Sequence, residues 1–212
     1  MALTYSVSAN DRQPHGSYRI DVYSQKAGRR MTLYGKAALC QFIDLEADFE
    51  VTDVCERPLV IPNVKPRRAV DFWALCGGVA TFYILVRSSE NDDRDTEGTA
   101  YGQFLRWATD NRARVKEVNL AGFEKRRIRY DNWSSILQHL IAHQGQITDH
   151  LLERCGDAIP QSATLCDFEN GIADVDAMLV RAGVFTLLAR GNLKCDSIDT
   201  VPLNSTTKVA RV

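Results

Sequence analysis

Asp71 is the first residue of this chain whose type and place could do chemistry. It follows the basic pair Arg67-Arg68, directly precedes Phe72-Trp73, and opens an apolar run that turns at Gly77-Gly78 and returns as Tyr83-Ile84-Leu85-Val86-Arg87. A carboxylate at a strand end can hold a divalent cation that polarises water. Mg2+, however, keeps near-octahedral oxygen coordination and beside a phosphate needs at least two carboxylates to balance its charge. The returning strand offers none: Leu85 binds no metal, and Arg87 carries a permanently protonated guanidinium whose geometry differs from that of a lysine ammonium. The competing reading makes Asp71 a strand-end residue that bonds the backbone or pairs with Arg67 or Arg68.

Cationic side chains form three local clusters: Lys26, Arg29 and Arg30; Lys65, Arg67 and Arg68, with Arg87 downstream; and Lys125, Arg126, Arg127 and Arg129. Charge runs commonly mark a solvated face, yet clusters beside a carboxylate-bearing core are also how a protein meets phosphates. Arg112 and Arg114 extend the same composition. His139 and His143 stand four apart with His150 beyond, but without the intervening carboxylate of an H-E-x-x-H helix they read as solvated or capping residues. Ser134 and Ser135 read as first-turn helix serines, and Trp73, Trp107 and Trp133 as core residues rather than base-stacking platforms.

The elements that must position these groups follow from periodicity. Residues 18–23 alternate as a strand, the turn around Gly28 leads to a second strand at 31–34, and apolar positions from 36 to 50 recur at helical spacing. Strands are predicted at 51–55, 59–61, 68–74 and 79–86, a polar acidic loop at 88–98, a helix at 101–111 and a strand at 115–120. Asp131-Asn132 reads as a helix start, Gly145 as its end, and a further helix is predicted over 174–189 before a short hairpin. Two domains are expected: 1–130, an α/β core, and 131–212, a helical, winged-helix-like module.

Composition sets the outer limits. A chain of 212 residues, 45% hydrophobic and 25% charged, has the composition of an ordinary globular protein, and a net charge of -1 leaves any nucleic-acid surface to local clustering. Six cysteines without a C-x-x-C pair fit a reducing cytoplasm, and no apolar run approaches the length of a membrane span. The expectation is a cytoplasmic protein with no membrane association.

The order of these motifs resembles the N-terminal nuclease domain of TnsA, the subunit that cuts 5′ strands in heteromeric transposases. Ser24-Gln25-Lys26-Ala27-Gly28-Arg29 is similar to that family's S-x-K-x-G-R turn, Glu56-Arg57-Pro58 to its E-Q-P strand, and Val70-Asp71-Phe72 to its P-D-F strand. The resemblance implies a restriction-endonuclease-like PD-(D/E)xK core. It also places Ala38 at the family's metal-binding Glu, Tyr34 at the preceding helix-start Glu, and Leu85 and Arg87 at its Glu-x-Lys, which leaves Asp71 as the vestigial catalytic candidate. Arg127 to Asn132 resembles the family's basic strand and the Asn that introduces its C-terminal domain.

What the resemblance implies is a catalytically impaired subunit that positions transposon-end DNA and assembles with a DDE-type transposase and an AAA+ ATPase regulator, with no cofactor expected. The alternatives are a divergent active endonuclease using Mg2+ or Mn2+, with Asp71 aided by a displaced acid such as Asp44, Glu46 or Glu50, and a nuclease-fold regulator of DNA or defence component.

Overall fold

The computed structural model describes residues 3–10, 12–65, 67–86, 99–158 and 162–212. It is a mixed α/β structure with seven helices among the described residues, and it divides into two compact units, Met1–Lys125 and Arg126–Val212. No helix is long and apolar enough to cross a membrane, among the described residues.

The first unit opens with an antiparallel hairpin, β1 (Arg19–Ser24) and β2 (Arg29–Tyr34), in which Ser24 faces Arg29 across the turn. Helix α1 (Gly35–Ala47) follows and buries Cys40, Phe42, Ile43 and Leu45, the apolar face that the period predicts. No basic residue of its own last turn meets the orphan carbonyls there. Lys26 does so instead, donating from Nζ to the carbonyls of Leu45 (2.7 Å) and Asp48.

A four-stranded mixed sheet takes up the rest of the unit. β3 (Val51–Glu56), β6 (Phe72–Cys76) and β7 (Val79–Val86) are antiparallel neighbours, and β8 (Arg114–Asn119) lies parallel to β7 after a crossover carrying α2 (Ala100–Asp110). Between β3 and β6 the chain makes a small hairpin, β4 (Val60–Ile61) and β5 (Arg68–Ala69). Helix α3 (Ala121–Lys125) closes the unit. The β6–β7 turn is Gly77-Gly78, both at positive φ (54° and 76°), as a two-residue hairpin of this hand requires.

The single strand expected over 68–74 breaks at Val70-Asp71. The reason lies in consecutive amides with different partners: Val70 donates to the Leu59 carbonyl (3.0 Å) and Asp71 to that of Tyr83 (3.1 Å), so the chain leaves one hairpin and joins the main sheet within one residue. One face of the sheet, with Cys55, Trp73, Phe82, Ile84 and Val86, packs on Tyr101, Phe104 and Ala108 of α2. Tyr5 sets its ring edge against Trp73 and Phe82, at 5.6 and 5.7 Å between centroids. Each such large apolar side chain contributes roughly 1.5–3 kcal/mol on full burial.

The second unit runs α4 (Arg127–Ala142), α5 (Asp149–Asp157), β9 (Ser162–Thr164), α6 (Leu165–Gly171), α7 (Ala177–Ala189), β10 (Leu193–Lys194) and β11 (Lys208–Arg211). Its three strands pair antiparallel in the order β10-β11-β9. Strand β9 and helix α6 were not expected. Helix α6 starts in a capping box, with Thr164 accepting from the Asp167 amide and Asp167 accepting from that of Thr164. Helix α7 buries Val180, Ala182, Val184, Phe185 and Leu187, and a Cβ at Gly183 would meet Cys155 Sγ at 2.9 Å, so α5 approaches it closely.

Two expectations are corrected here. The stretch 127–132, which by resemblance would be a basic strand and an Asn introducing the C-terminal domain, is instead the start of α4, where Arg126 stacks over the Tyr130 ring (5.2 Å) and Arg127 pairs with Asp131 (3.5 Å), both at helical i,i+4 spacing. Asn132, expected at the helix start, lies inside α4 and is buried. Its Nδ2 donates to the carbonyls of Ile198 and Val201 (2.8 Å each), and its Oδ1 accepts from the Leu203 amide (2.9 Å).

Candidate functional site

Asp71 sits half-buried at the head of β6, where the break in the strand turns its side chain toward β7. Its Oδ2 accepts from the Leu85 amide at 2.8 Å, extending the β6–β7 ladder beyond its last backbone rung. The Leu85 carbonyl accepts from Arg68 Nη2, also at 2.8 Å. Both backbone groups of Leu85 are thus met by side chains on the chain segment that opens β6. Arg57 donates its amide to the Asp71 carbonyl (2.9 Å), which ties the end of β3 to the same place.

Arg57 is the residue that sequence reasoning missed. It is buried at positive φ (44°), donates from Nε to the Asn10 carbonyl (2.5 Å) and from Nη1 to that of Thr32 (2.6 Å), and lies over the Tyr34 ring at 4.8 Å. The one available signal was an arginine where the resembled family has glutamine.

The displaced acids are taken up elsewhere. Glu46 is buried, accepting from Ser24 Oγ (2.5 Å) and the Gln25 amide (3.3 Å), and its burial pushes its carboxyl above the usual range against the opposing pull of Ser24 and Lys26. Burial likewise lowers Lys26 to about 8, with Glu46 and Asp48 acting the other way. Glu56 is buried in a two-pronged pair with Arg29, at 3.0 and 2.5 Å, and this hydrogen bonding holds the guanidinium still more firmly protonated. Asp44 is half-buried and Glu50 exposed. Among the described residues no group of three or more His, Cys, Asp or Glu side chains could hold a metal ion. These residues do not fit a Mg2+ or Mn2+ centre.

Of the other positions set by the resemblance, Ala38 and Tyr34 are half-buried around the start of α1 and Leu85 is half-buried. Arg87, with the loop 88–98, lies outside the described residues.

The predicted phosphate contacts separate into two groups. Lys26, Arg29 and Arg68 are engaged inside the fold as described, Arg126 stacks on Tyr130, and Arg129 pairs with Asp199 (2.8 Å). Arg30, Lys65, Arg67, Lys125 and Arg127 are exposed. Of the tryptophans, Trp73 and Trp133 are core residues as expected, but Trp107 is 38% exposed.

In the second unit His139 and His143 lie 5.2 Å apart between ring centroids, and His139 sets its edge on Phe185 (5.6 Å) rather than joining an acid. Burial lowers its pKa, with His143 and Arg181 adding to the effect. Ser135 bonds the Asp131 carbonyl one turn back (3.1 Å). Four of the six cysteines are buried, and all six are free thiols. No protein-family model matches the chain, and no curated protein matches it either.

Proposed function

We propose that this chain is a TnsA-like subunit whose restriction-endonuclease-like core no longer cuts, and which positions transposon-end DNA within a transposition complex. The reading is supported by one observation above the rest: Asp71, at the family's aspartate position, gives a carboxylate oxygen to the Leu85 amide in a helix–three-strand–helix–strand core, and among the described residues no group of three or more His, Cys, Asp or Glu could hold a metal ion. Arg57, a built-in cation, lies over Tyr34, the position at which the family carries an acid. The helix–strand–helix–helix–strand–strand order of α5 to β11 is that of a winged helix, and it carries the proposed contact with an AAA+ regulator. A DDE-type transposase is the second partner.

The test combines the purified chain, a cognate transposase and transposon-end DNA in Mg2+ or Mn2+. The expected result is a retained complex without strand cleavage by this chain. Cleavage that disappears with Asp71→Asn, a change that keeps an oxygen for the Leu85 amide, would overturn the reading in favour of a divergent active nuclease.

A further inference from the structure

A cavity of about 370 Å3 opens between β4 and α2, walled by Leu59, Val60, Pro62, Gln103, Phe104 and Trp107. Its size suits a small planar group, and its walls among the described residues are apolar except for one amide. Trp107 stacks on Phe104 at 5.9 Å with 25° between the planes, so Phe104, itself buried, backs an indole that is more than a third exposed.

Leu59, one of the cavity walls, accepts from the Val70 amide, and Val70 is the residue next to Asp71. The same β4–β5 hairpin carries Lys65 and Arg67, both exposed, and α2 presents exposed Arg106 beside Trp107. Among the described residues no carboxylate lines the cavity. Apolar stacking walls, an amide able to bond a base edge, and exposed cations on the two elements that frame the cavity form the combination that recognises unpaired nucleotides.

We propose that this cavity receives an unpaired base of single-stranded DNA, stacked on Trp107, with the adjoining phosphates on Lys65, Arg67 and Arg106. The inference rests on the DNA-positioning reading and adds to it a preference for frayed or flapped ends over intact duplex.

The test titrates the full chain with a twelve-nucleotide oligothymidylate and with a duplex of equal length, following tryptophan fluorescence and anisotropy. Oligothymidylate should quench the exposed indole, and Trp107→Ala should weaken its binding about tenfold while duplex affinity stays within about twofold, in keeping with loss of one base–aromatic stack. Trp107→Phe, which retains a ring against Phe104, should recover most of the affinity and guards against a folding defect in the alanine variant. Oligothymidylate binding that is indifferent to Trp107→Ala would overturn the base pocket and leave DNA positioning intact. Failure of both DNAs to bind would overturn the two together. Uptake of an apolar fluorophore without any response to oligothymidylate would assign the cavity to a hydrophobic protein side chain, and would also overturn the proposal.

Discussion

The two units bury different kinds of polar group. Among the described residues the first encloses charged side chains, Glu46, Glu56 and Arg57, besides the neutral Ser24, Gln41 and Thr81, whereas the buried polar side chains of the second are the neutral Asn132 and Thr207. Buried charge is tolerated only when paired and fully bonded, so the first unit must keep partners in register across α1, the β1–β2 hairpin and β3. A neutral amide such as Asn132 carries no such electrostatic liability and acts as a clasp. Residues that look like chemistry in the first unit are therefore largely its architecture.

The comparison breaks most readily at Arg29. Arg29→Ala leaves Glu56, whose side chain is only 5% exposed, without its cation, and should cost about 3–5 kcal/mol in urea unfolding of the first unit. Equal stability of Arg29→Ala and wild type would mean that the buried pair does not hold the first unit together. Asn132→Ala should be milder, about 1–3 kcal/mol and confined to the second unit, because it orphans two carbonyls and one amide that loop relaxation can partly rehydrate. Hydrogen exchange at the Leu203 amide reports it directly.

Asp71→Ala removes one acceptor from the Leu85 amide and should cost about 1 kcal/mol, with Asp71→Asn near wild type in thermal melts. A larger loss in the asparagine variant than in the alanine variant would point to a role for the charge itself.

The smallest effect expected is at His139. Its folded pKa lies below the ordinary histidine value, so the unfolded chain binds the proton more readily. The second unit should lose stability as pH falls through about 6.5, and His139→Gln should flatten that dependence. A pH profile that His139→Gln leaves unchanged would show that this ring is not its source.

Much of the first unit is legible in the residues. The helical spacing of Cys40, Phe42, Ile43 and Leu45, and the Gly77-Gly78 turn, need only local rules. The break at Val70-Asp71 is not legible, because it depends on which distant carbonyl each amide meets. Lys26 and Arg29 read as phosphate contacts since nothing nearby in sequence announces Leu45, Asp48 or Glu56 as partners. Helix α6 was within reach, as Thr164 and Asp167 have capping-box spacing. The inward face of Asn132 was hidden by its neighbour: Asp-Asn before an apolar run is also how a helix begins.

The parallel pairing of β8 with β7 bears on the order in which the first unit assembles. β6 and β7 meet across a two-residue turn and β3 lies against their other side, so this antiparallel part can zip from nearby contacts. β8 can join only after the crossover with α2 has closed, and closing that longer loop costs chain entropy before any new pairing returns it. Until then β7 is an open edge. A nascent chain stalled before β8 would therefore present a sticky strand edge, so the last strand to pair in the first unit is also the one that shields it from aggregation.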